Sequence, residues 1–561
     1  MSEVEGLPRS SQQSVCSPMT MDSDANPLAA NDDSASPWWR GAVIYQIYPR
    51  SFMDSNGDGI GDLPGITARL EHIASLGVDA IWISPFYTSP MADFGYDISD
   101  YCDVDPIFGT LADFDALIAR AAELGLRVIV DQVYAHTSDL HPWFVESRSS
   151  TDNPKADWYV WADPKPDGSP PSNWQSVFGG PSWLWDGRRR QYYLHNFLDR
   201  QPQLNVHNPE VQDALLAVAK FWLDRGVSGF RIDALNFTMH DPLLRDNPPA
   251  PDDGTPRSRT FDFQLQLHNQ SHPNVVLFIE RLQALISSYP DTFSLAEVGG
   301  REAIREMQDY TRGSKRLDSA YGFDFLYAPA LDAETVVKAL APWSQKPGAG
   351  WPSWAFENHD APRAISRWCA KGDEAAFARL KLMLFLSLRG NPIIYQGEEL
   401  GLLQDDVPFE LLQDPEAITN WPLTLSRDGV RTPLPWTAEA VNGGFSEGSP
   451  WLPLSGQNLS RAVDCQEADP GSLLHLTRKA LALRKGSAAL HHGDCEVMVA
   501  KGDLVVLRRD LPGEAVIAVH NLGPEPLEWP SKVTTTGQVL MAVNGAGAGT
   551  LPPYGAIWLS E

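Results

Sequence analysis

Cysteine is scarce in this sequence, and long apolar runs are absent from it. The chain has 5 cysteines in 561 residues, and none of them forms a C-x-x-C pair. Neither a zinc site nor a disulfide framework is therefore indicated, and a reducing compartment is favoured. No stretch approaches the roughly 20 apolar residues that cross a bilayer, and the N-terminus lacks a basic-then-apolar signal pattern. We expect a soluble, cytoplasmic protein that has no membrane partner.

Positive charge is also in short supply. Lys and Arg number 44 against 72 Asp and Glu, which gives a formal net charge of -28. Such a chain repels phosphates, so a nucleic-acid partner is excluded and a neutral substrate fits best. Aromatic residues, by contrast, make up 10% of the chain, with 19 Trp. Most of these belong to a core, but aromatic faces also stack on sugars.

Changes in composition divide the chain into four segments. Residues 1–36 are rich in Ser, Asp, Asn, Gln and Pro and are predicted to be a disordered leader. Residues 37–136 and 208–468 alternate short apolar runs with amphipathic helical stretches, which predicts a catalytic barrel. Residues 137–207 lack a helical period, which predicts an inserted subdomain B. Residues 469–561 carry short alternating strands, which predicts a C-terminal β-sandwich domain.

The barrel prediction depends on a count of strand and helix units. Eight strands are predicted, at residues 42–48, 80–83, 127–133, 229–233, 293–296, 320–325, 353–356 and 392–395. This α/β pattern predicts a (β/α)8 TIM barrel with an inserted subdomain after strand 3 and a C-terminal antiparallel β domain. In such a barrel the active site lies at the carboxyl ends of the strands. A doubly wound parallel sheet is the alternative.

Polar residues collect directly after the predicted strands. They are Asp131 and His136, Arg231 and Asp233, Glu297, and the run Asn358-His359-Asp360. Each group taken alone fits a helix cap or a solvated loop, but four groups at matching strand ends indicate one site. Three carboxylates, two histidines and an arginine, with no Ser-His-Asp order, suit acid/base and nucleophilic chemistry on a neutral, hydroxyl-rich molecule.

These four segments resemble the four sequence regions of the α-amylase family, glycoside hydrolase family 13, and the resemblance extends over nearly the whole chain from Trp38. It implies that Asp233 is the nucleophile, Glu297 the general acid/base and Asp360 a third carboxylate that binds sugar hydroxyls. It implies no organic cofactor. The other residues that it implies for the same sugar ring are Arg231, His136 and His359.

A retaining glycosidase needs one carboxylate charged and the other protonated. Arg231, two residues before Asp233, is expected to lower the pKa of Asp233 and to keep it ionised. Glu297 follows two apolar residues and has no adjacent cation in the sequence.

Further segments resemble the α-glucosidase and oligo-1,6-glucosidase branch of this family. Asp93 and Arg427 match residues that clamp the non-reducing glucose and close the pocket behind it, which implies exo action. Tyr96 and Phe178 match residues beside that ring, and Phe197 is expected near it. Two positions depart from the branch: Gln203 stands where Asp is usual, and Ala234 stands where Val or Thr indicates the linkage. The small Ala234 favours α-1,4 or broad specificity.

Residues 54–62 alternate oxygen-bearing side chains with glycines, as at the start of an EF-hand loop. The resemblance implies a structural Ca²⁺ held by Asp54, Asn56, Asp58, Asp62 and the carbonyl of Ile60. An acidic turn without a metal is the alternative.

The sequence thus predicts a retaining, exo-acting α-glucosidase that cleaves the terminal α-glucosyl bond of short oligosaccharides or α-glucosides through a glucosyl-Asp intermediate, with transglucosylation. The alternatives are an oligo-1,6-glucosidase, and a trehalose synthase or sucrose-acting glucosyl transferase, for which residues 316–319 offer a partial motif. A non-catalytic sugar-binding relative is disfavoured because every carboxylate is present. The expected assembly is a monomer or a homodimer.

Overall fold

A computed structural model describes residues 36–252, 254, 256–343, 350–424 and 426–561. The predicted leader, residues 1–36, lies outside the described residues except for Ser36. Among the described residues, no helix combines the length and apolarity that crossing a lipid bilayer requires.

Eight parallel strands form the central sheet. They are β1 (Ile44–Ile47), β2 (Ala80–Ile83), β5 (Arg127–Val133), β9 (Gly229–Asp233), β10 (Phe293–Glu297), β11 (Ser319–Tyr321), β12 (Ser353–Trp354) and β13 (Asn391–Tyr395). Their order in the sheet is β11-β10-β9-β5-β2-β1-β13-β12, and a parallel bridge from Ala320 to Pro352 joins the two ends. The strands therefore close into a ring. The predicted TIM barrel is confirmed, and the doubly wound sheet is wrong.

Helices accompany this ring, and those that precede β13 lie in the connections between its strands. They are α1 (Leu63–Leu76), α2 (Leu111–Glu123), α3 (Pro142–Ser147), α4 (Pro209–Asp224), α5 (Val275–Ile286), α6 (Ala303–Tyr310), α7 (Ala333–Leu340), α8 (Ala364–Trp368), α9 (Glu374–Ser387), α10 (Pro415–Asn420), α11 (Gly456–Leu459), α12 (Val463–Ala468), α13 (Leu473–Gly486) and α14 (Ala488–His492). Local sequence explains their ends. Asn208 caps the first turn of α4 ahead of a proline, and Gly77 ends α1 in the left-handed conformation.

Two small sheets stand between the barrel strands. A hairpin of β3 (Tyr87–Thr88) and β4 (Asp100–Val104) precedes α2, and the inserted segment folds into β6 (Trp161–Ala162), β7 (Trp183–Asp186) and β8 (Gln191–Leu194). An antiparallel bridge from His136 to Gln203 fastens the inserted segment to the chain just after β5, and a second bridge, from Tyr159 to Leu204, lies within the segment.

The C-terminal strands form one five-stranded antiparallel sheet in the described residues. It comprises β14 (Asp494–Lys501), β15 (Leu504–Leu511), β16 (Glu514–Asn521), β17 (Val539–Val543) and β18 (Ala556–Ser560), in the order β14-β15-β16-β18-β17. One face joins the main core through Leu507 and Trp558, and loop residues such as Trp529 and Leu551 cover the other. The C-terminal antiparallel β domain is confirmed, and the boundaries of the four predicted segments stay predictions.

Candidate active site

The carboxyl ends of the barrel strands open into a cavity of roughly 720 Å³. Asp233 ends β9 and Glu297 ends β10, and both line this cavity together with Asp360. Six of the predicted substrate-binding residues line it as well: Asp93, Tyr96, His136, Phe178, Phe197 and Arg427. The structure therefore brings residues separated by more than 300 positions into one cavity.

Arg231 lies at the centre of three carboxylates. Its Nη1 donates to Oδ1 of Asp131 at 2.8 Å and to Oδ1 of Asp233 at 2.7 Å, and its Nη2 forms an ion pair with Oε1 of Glu297 at 2.5 Å. The guanidinium is fully buried and lies 4.7 Å from the centre of the Trp82 ring. One planar cation thus fixes the carboxylates of Asp233 and Glu297 side by side.

The pKa of Asp233 differs from the sequence-based expectation. Burial raises the pKa of the Asp233 carboxyl well above its usual value, and Arg231 opposes this only in part because Glu297 and Asp131 add negative charge. Burial likewise raises the pKa of Asp131 to about 6 against the attraction of Arg231. Arg231 does lower the pKa of Asp233, but burial outweighs it, so the net shift is upward and the expected net lowering is wrong.

Tyr321 completes the contacts of Glu297 and was not predicted from the sequence. Its hydroxyl accepts from Nε and Nη2 of Arg231 at 3.1 and 2.9 Å and donates to Oε1 of Glu297 at 2.9 Å. The amide N–H of Ala234 donates to Oε2 of Glu297 at 3.2 Å, from a residue with a positive φ of 39°. The backbone after Asp233 therefore turns towards the Glu297 carboxylate.

Charged side chains close the other end of the cavity. Arg427 donates through Nη2 to Oδ1 of Asp93 at 3.1 Å and through Nη1 to Oδ1 of Asp360 at 3.3 Å, and it lies 5.0 Å from the centre of the Phe178 ring. Arg431, which the sequence reasoning missed, donates to Oδ1 of Asp360 at 2.6 Å. Its spacing of four residues from Arg427 was the available signal.

These contacts shift the two carboxylates of the closed end in opposite directions. Burial raises the pKa of Asp93 to about 6, although Arg427 and Arg431 oppose it. Burial also acts to raise the pKa of Asp360, but His359, Arg431 and Arg427 outweigh it and hold that pKa well below the usual range. Asp360 is therefore ionised at neutral pH.

The two predicted histidines lie beside the same end of the cavity. His359 is fully buried, and its Nε2 lies 2.7 Å from the hydroxyl of Tyr96. His136 has its Nε2 3.1 Å from the side-chain nitrogen of Gln201, a further residue that the sequence reasoning missed and that donates to Oδ2 of Asp93 at 3.0 Å. Burial lowers the pKa of His136 to about 4 and that of His359 to about 3. Both are therefore neutral at physiological pH.

This constellation can now be compared with known proteins. The family described as "Alpha amylase, catalytic domain" matches residues 46–493. The chain belongs to the α-amylase family. A probable alpha-glucosidase of Rhizobium meliloti (strain 1021) is 52% identical over 515 residues, with 90% of this chain and 93% of that protein covered. An oligo-1,6-glucosidase of Parageobacillus thermoglucosidasius is 37% identical over 521 residues, with 86% and 90% covered.

A solved structure supports the same assignment. The crystal structure of the alpha-glucosyl transfer enzyme XgtA has a TM-score of 0.90 and 48% identity, with 94% of this chain and 100% of that chain covered. A trehalulose synthase, MutB, has a TM-score of 0.84 at 33% identity, with 94% and 100% covered. This α-amylase family member is a glycoside hydrolase.

The predicted metal loop of this α-amylase family member has hydrogen bonds of its own. Oδ1 of Asp54 accepts from the amides of Asn56 and Gly57 at 2.9 and 2.7 Å, and Asp62 caps α1 by accepting from Gly65 at 2.7 Å. The side-chain oxygens of Asn56 and Asp58 accept hydrogen bonds from the backbone amides of Asp58 and Ile60, respectively. The predicted ligands are all oxygen atoms, the kind that a hard cation such as Ca²⁺ prefers, but the carboxylate oxygens of Asp54 and Asp62 already accept hydrogen bonds from the protein.

The cation itself stays a prediction. In the part of the chain that the structure describes, no group of three or more His, Cys, Asp or Glu side chains is arranged to hold a metal ion. To bind a cation, the predicted set would use the side-chain oxygen of Asn56 and the backbone carbonyl of Ile60 besides its three carboxylates.

Proposed function

We propose that this enzyme is a retaining, exo-acting α-glucosidase that forms a covalent glucosyl intermediate on Asp233. Oδ1 of Asp233 would attack the anomeric carbon while Glu297 gives its proton to the departing oxygen. Water or an acceptor alcohol then attacks the intermediate, and Glu297 takes up the proton that this nucleophile loses. The support is the single guanidinium of Arg231, which contacts both carboxylates at 2.7 and 2.5 Å. A shared cation holds the nucleophile and the acid/base close enough together to act on the same glucosidic bond.

Exo action follows from the closed end of the cavity. Arg427 links Asp93 to Asp360, so a glucosyl ring that reaches Asp233 meets an ion-pair wall and cannot continue. Asp360, ionised and partly exposed, would accept hydrogen bonds from the secondary hydroxyls of that ring. Tyr96, His136 and the rings of Phe178 and Phe197 would contact the same sugar. A terminal, non-reducing glucose fits this end better than an internal one.

Glucosyl transfer is part of the proposal because aromatic side chains line the cavity. Its walls include Phe261, Phe323 and Tyr327, which would hold an acceptor with its hydroxyl towards the intermediate and would exclude water. The similarity to an alpha-glucosyl transfer enzyme supports this. The sucrose-isomerising alternative is not favoured by residues 316–319, because Asp318 accepts from the amide of Ser294 at the amino end of β11, away from the cavity.

Three finer properties belong to the same proposal. Asp54, Asn56, Asp58, Ile60 and Asp62 would hold a structural Ca²⁺ that stabilises the turn between β1 and α1. The enzyme would act in the cytoplasm, where its four described cysteines, all free, stay reduced. It would work as a monomer or homodimer without an organic cofactor, on α-glucosides or short oligosaccharides.

The stereochemistry of the first product tests this mechanism. Hydrolysis of p-nitrophenyl α-glucoside, followed by proton NMR, should give α-glucose first. Asp233→Ala should abolish turnover, and added azide should restore release of nitrophenol with β-glucosyl azide as the product, because azide then takes the place of the carboxylate. Asp115→Ala, an exposed carboxylate on α2, is the matched control. A first product with the β configuration, or normal turnover by Asp233→Ala, would contradict the proposal.

Preference among linkages needs a separate measurement. The values of kcat/KM for maltose and isomaltose compare the α-1,4 and α-1,6 bonds directly. The small side chain of Ala234 at the cavity wall leads us to expect that maltose is at least as good a substrate. A strong preference for isomaltose would instead favour the oligo-1,6-glucosidase alternative.

A further inference from the structure

An ion pair at the wall of the cavity joins two connections that leave different barrel strands. Nη1 of Arg259 lies 3.2 Å from Oε1 of Glu416, and both residues line the cavity. Their side chains are 27% and 18% exposed, so the pair is partly shielded from water but not sealed in the core. Neither residue belongs to the motifs by which the catalytic carboxylates were predicted.

The two partners come from opposite sides of the barrel. Arg259 lies in the connection that leaves β9, the fourth barrel strand, and Glu416 lies in the connection that leaves β13, the eighth. In a closed ring of eight strands the fourth and eighth positions face each other across the axis. Contact between these two connections therefore has to form above the barrel axis, over the cavity. We call residues 259–262 and 414–420 together the arch.

Each half of the arch is held in place from its own side. Arg259 also donates to both carboxylate oxygens of Asp262, at 3.2 and 3.1 Å. Helix α10, which carries Glu416, is capped by Asp414, and Asp414 accepts from Nη2 of Arg427 at 2.9 Å. The arch is thereby connected to the residue that closes the glucose end of the cavity.

The inserted segment supports the arch from a third direction. The amide of Gly180 donates to Oγ1 of Thr260 at 2.9 Å, and Nδ2 of Asn420 donates to the carbonyl of Phe178 at 3.1 Å. Both halves of the arch therefore touch the same short stretch, residues 178–180, which also provides the Phe178 ring to the cavity. Among the described residues, the Arg259–Glu416 pair is a direct ion pair between the two halves.

We propose that the Arg259–Glu416 ion pair sets the size of the leaving group by closing the arch over the cavity. This rests on the proposed α-glucosidase function. With the pair intact, a leaving group of one sugar or one aromatic ring fits below the arch, whereas a longer glucan has to part it. Because the pair is partly exposed, salt weakens it and binding of a longer chain can open it.

The test compares substrates of different length on the full chain. Arg259→Gln and Glu416→Gln each remove one charge and keep a side chain of similar size, and kcat/KM is measured for maltose and for maltotetraose. We expect the maltotetraose-to-maltose ratio to rise about fivefold in either variant, the effect that an ion pair of this exposure supports. Arg225→Gln, which breaks a surface pair with Asp115, should leave the ratio unchanged.

Two further measurements identify the ion pair as the cause. The exchanged double variant Arg259→Glu with Glu416→Arg should return the ratio towards that of the unaltered enzyme. About 0.5 M NaCl should raise the ratio in the unaltered enzyme and not in the single variants, because screening weakens the pair only where it exists. If a single variant has too low a melting temperature to be assayed, the dependence of the ratio on salt in the unaltered enzyme tests the proposal instead.

An unchanged ratio in both single variants, with each enzyme active on maltose, overturns the role of the arch and leaves the α-glucosidase function standing. Absence of activity on every α-glucoside in the unaltered enzyme overturns the proposed function instead. A ratio that rises in the single variants but is insensitive to salt and is not restored by the exchange means that side-chain shape, not charge, limits length, and this also overturns the proposal.

Discussion

Replacing Tyr321 by phenylalanine removes one hydroxyl from the contacts of Glu297. That hydroxyl is fully buried, donates to Oε1 of Glu297 at 2.9 Å and accepts from Arg231 at 2.9 and 3.1 Å. A hydroxyl that donates to a carboxylate forms a charge-assisted hydrogen bond. A hydrogen bond of this kind contributes about 1.5–3 kcal/mol. The variant therefore removes a hydrogen bond that the Glu297 carboxylate would receive once its proton has passed to the leaving group.

The two chemical steps should respond differently. If proton transfer is about half complete in the transition state, roughly half of this energy is lost, and kcat/KM for maltose falls about 4- to 13-fold. Nitrophenolate leaves with little need of a proton, so kcat/KM for p-nitrophenyl α-glucoside should fall much less. The second step, in which Glu297 accepts a proton, should not slow.

Steady-state kinetics on both substrates, with a burst measurement for the aryl glucoside, provide the assay. An equal loss on maltose and on the aryl glucoside would refute the reasoning, because it would mean that Tyr321 holds the shape of the cavity and has no effect on the acid. Thermal melting of the variant checks the fold, and Tyr289→Phe, whose hydroxyl contacts Asp224 at the surface, is the matched control.

Two further predictions concern stability. Burial raises the pKa of Asp93 to about 6 in the folded state, above its value in the unfolded chain. The protonated carboxyl therefore stabilises the fold by about 3 kcal/mol at most when the pH is below the unfolded pKa, and this stabilisation is lost as the pH rises through 6. The melting temperature of Asp93→Asn, measured by differential scanning calorimetry, should therefore fall less between acid and neutral pH than that of the unaltered enzyme. An equal fall in both proteins would contradict this. Prolonged chelation should lower the melting temperature through the loop at Asp54–Asp62 while molecules that remain folded stay active; no shift would argue against a bound cation.

Short-range patterns in the sequence were sufficient for the strand ends and their chemistry. Arg231 and Asp233 are two residues apart on a strand and so point to one side, and the barrel rule places Glu297 and Asp360 at the same end. The boundaries of β2, β5 and β9 match the predicted ranges because dense apolar runs and flanking turns define them. Residues 322–325 were predicted as strand, but β11 stops at Tyr321 and the chain turns so that Phe323 reaches the cavity.

Contacts that depend on ring closure could not be read from the sequence. Arg427 and Asp93 are 334 positions apart, and Arg259 and Glu416 are 157 apart. Nothing local distinguishes Arg259 from a solvated loop charge. Only the meeting of the connections after opposite strands gives it a partner, so its role could not be inferred until the order of the strands in the ring was known.

The incorrect pKa expectation for Asp233 has the same origin, and it bears on the mechanism. The sequence pairs one arginine with one aspartate, and such a pair would keep the aspartate ionised. The folded chain brings Asp131 from β5 and Glu297 from β10 to the same guanidinium, so three negative groups share one positive charge. A buried cluster of that composition holds a proton more readily than an isolated pair does. Burial and the neighbouring carboxylates therefore set the pKa of Asp233, and the attraction of Arg231 alone does not.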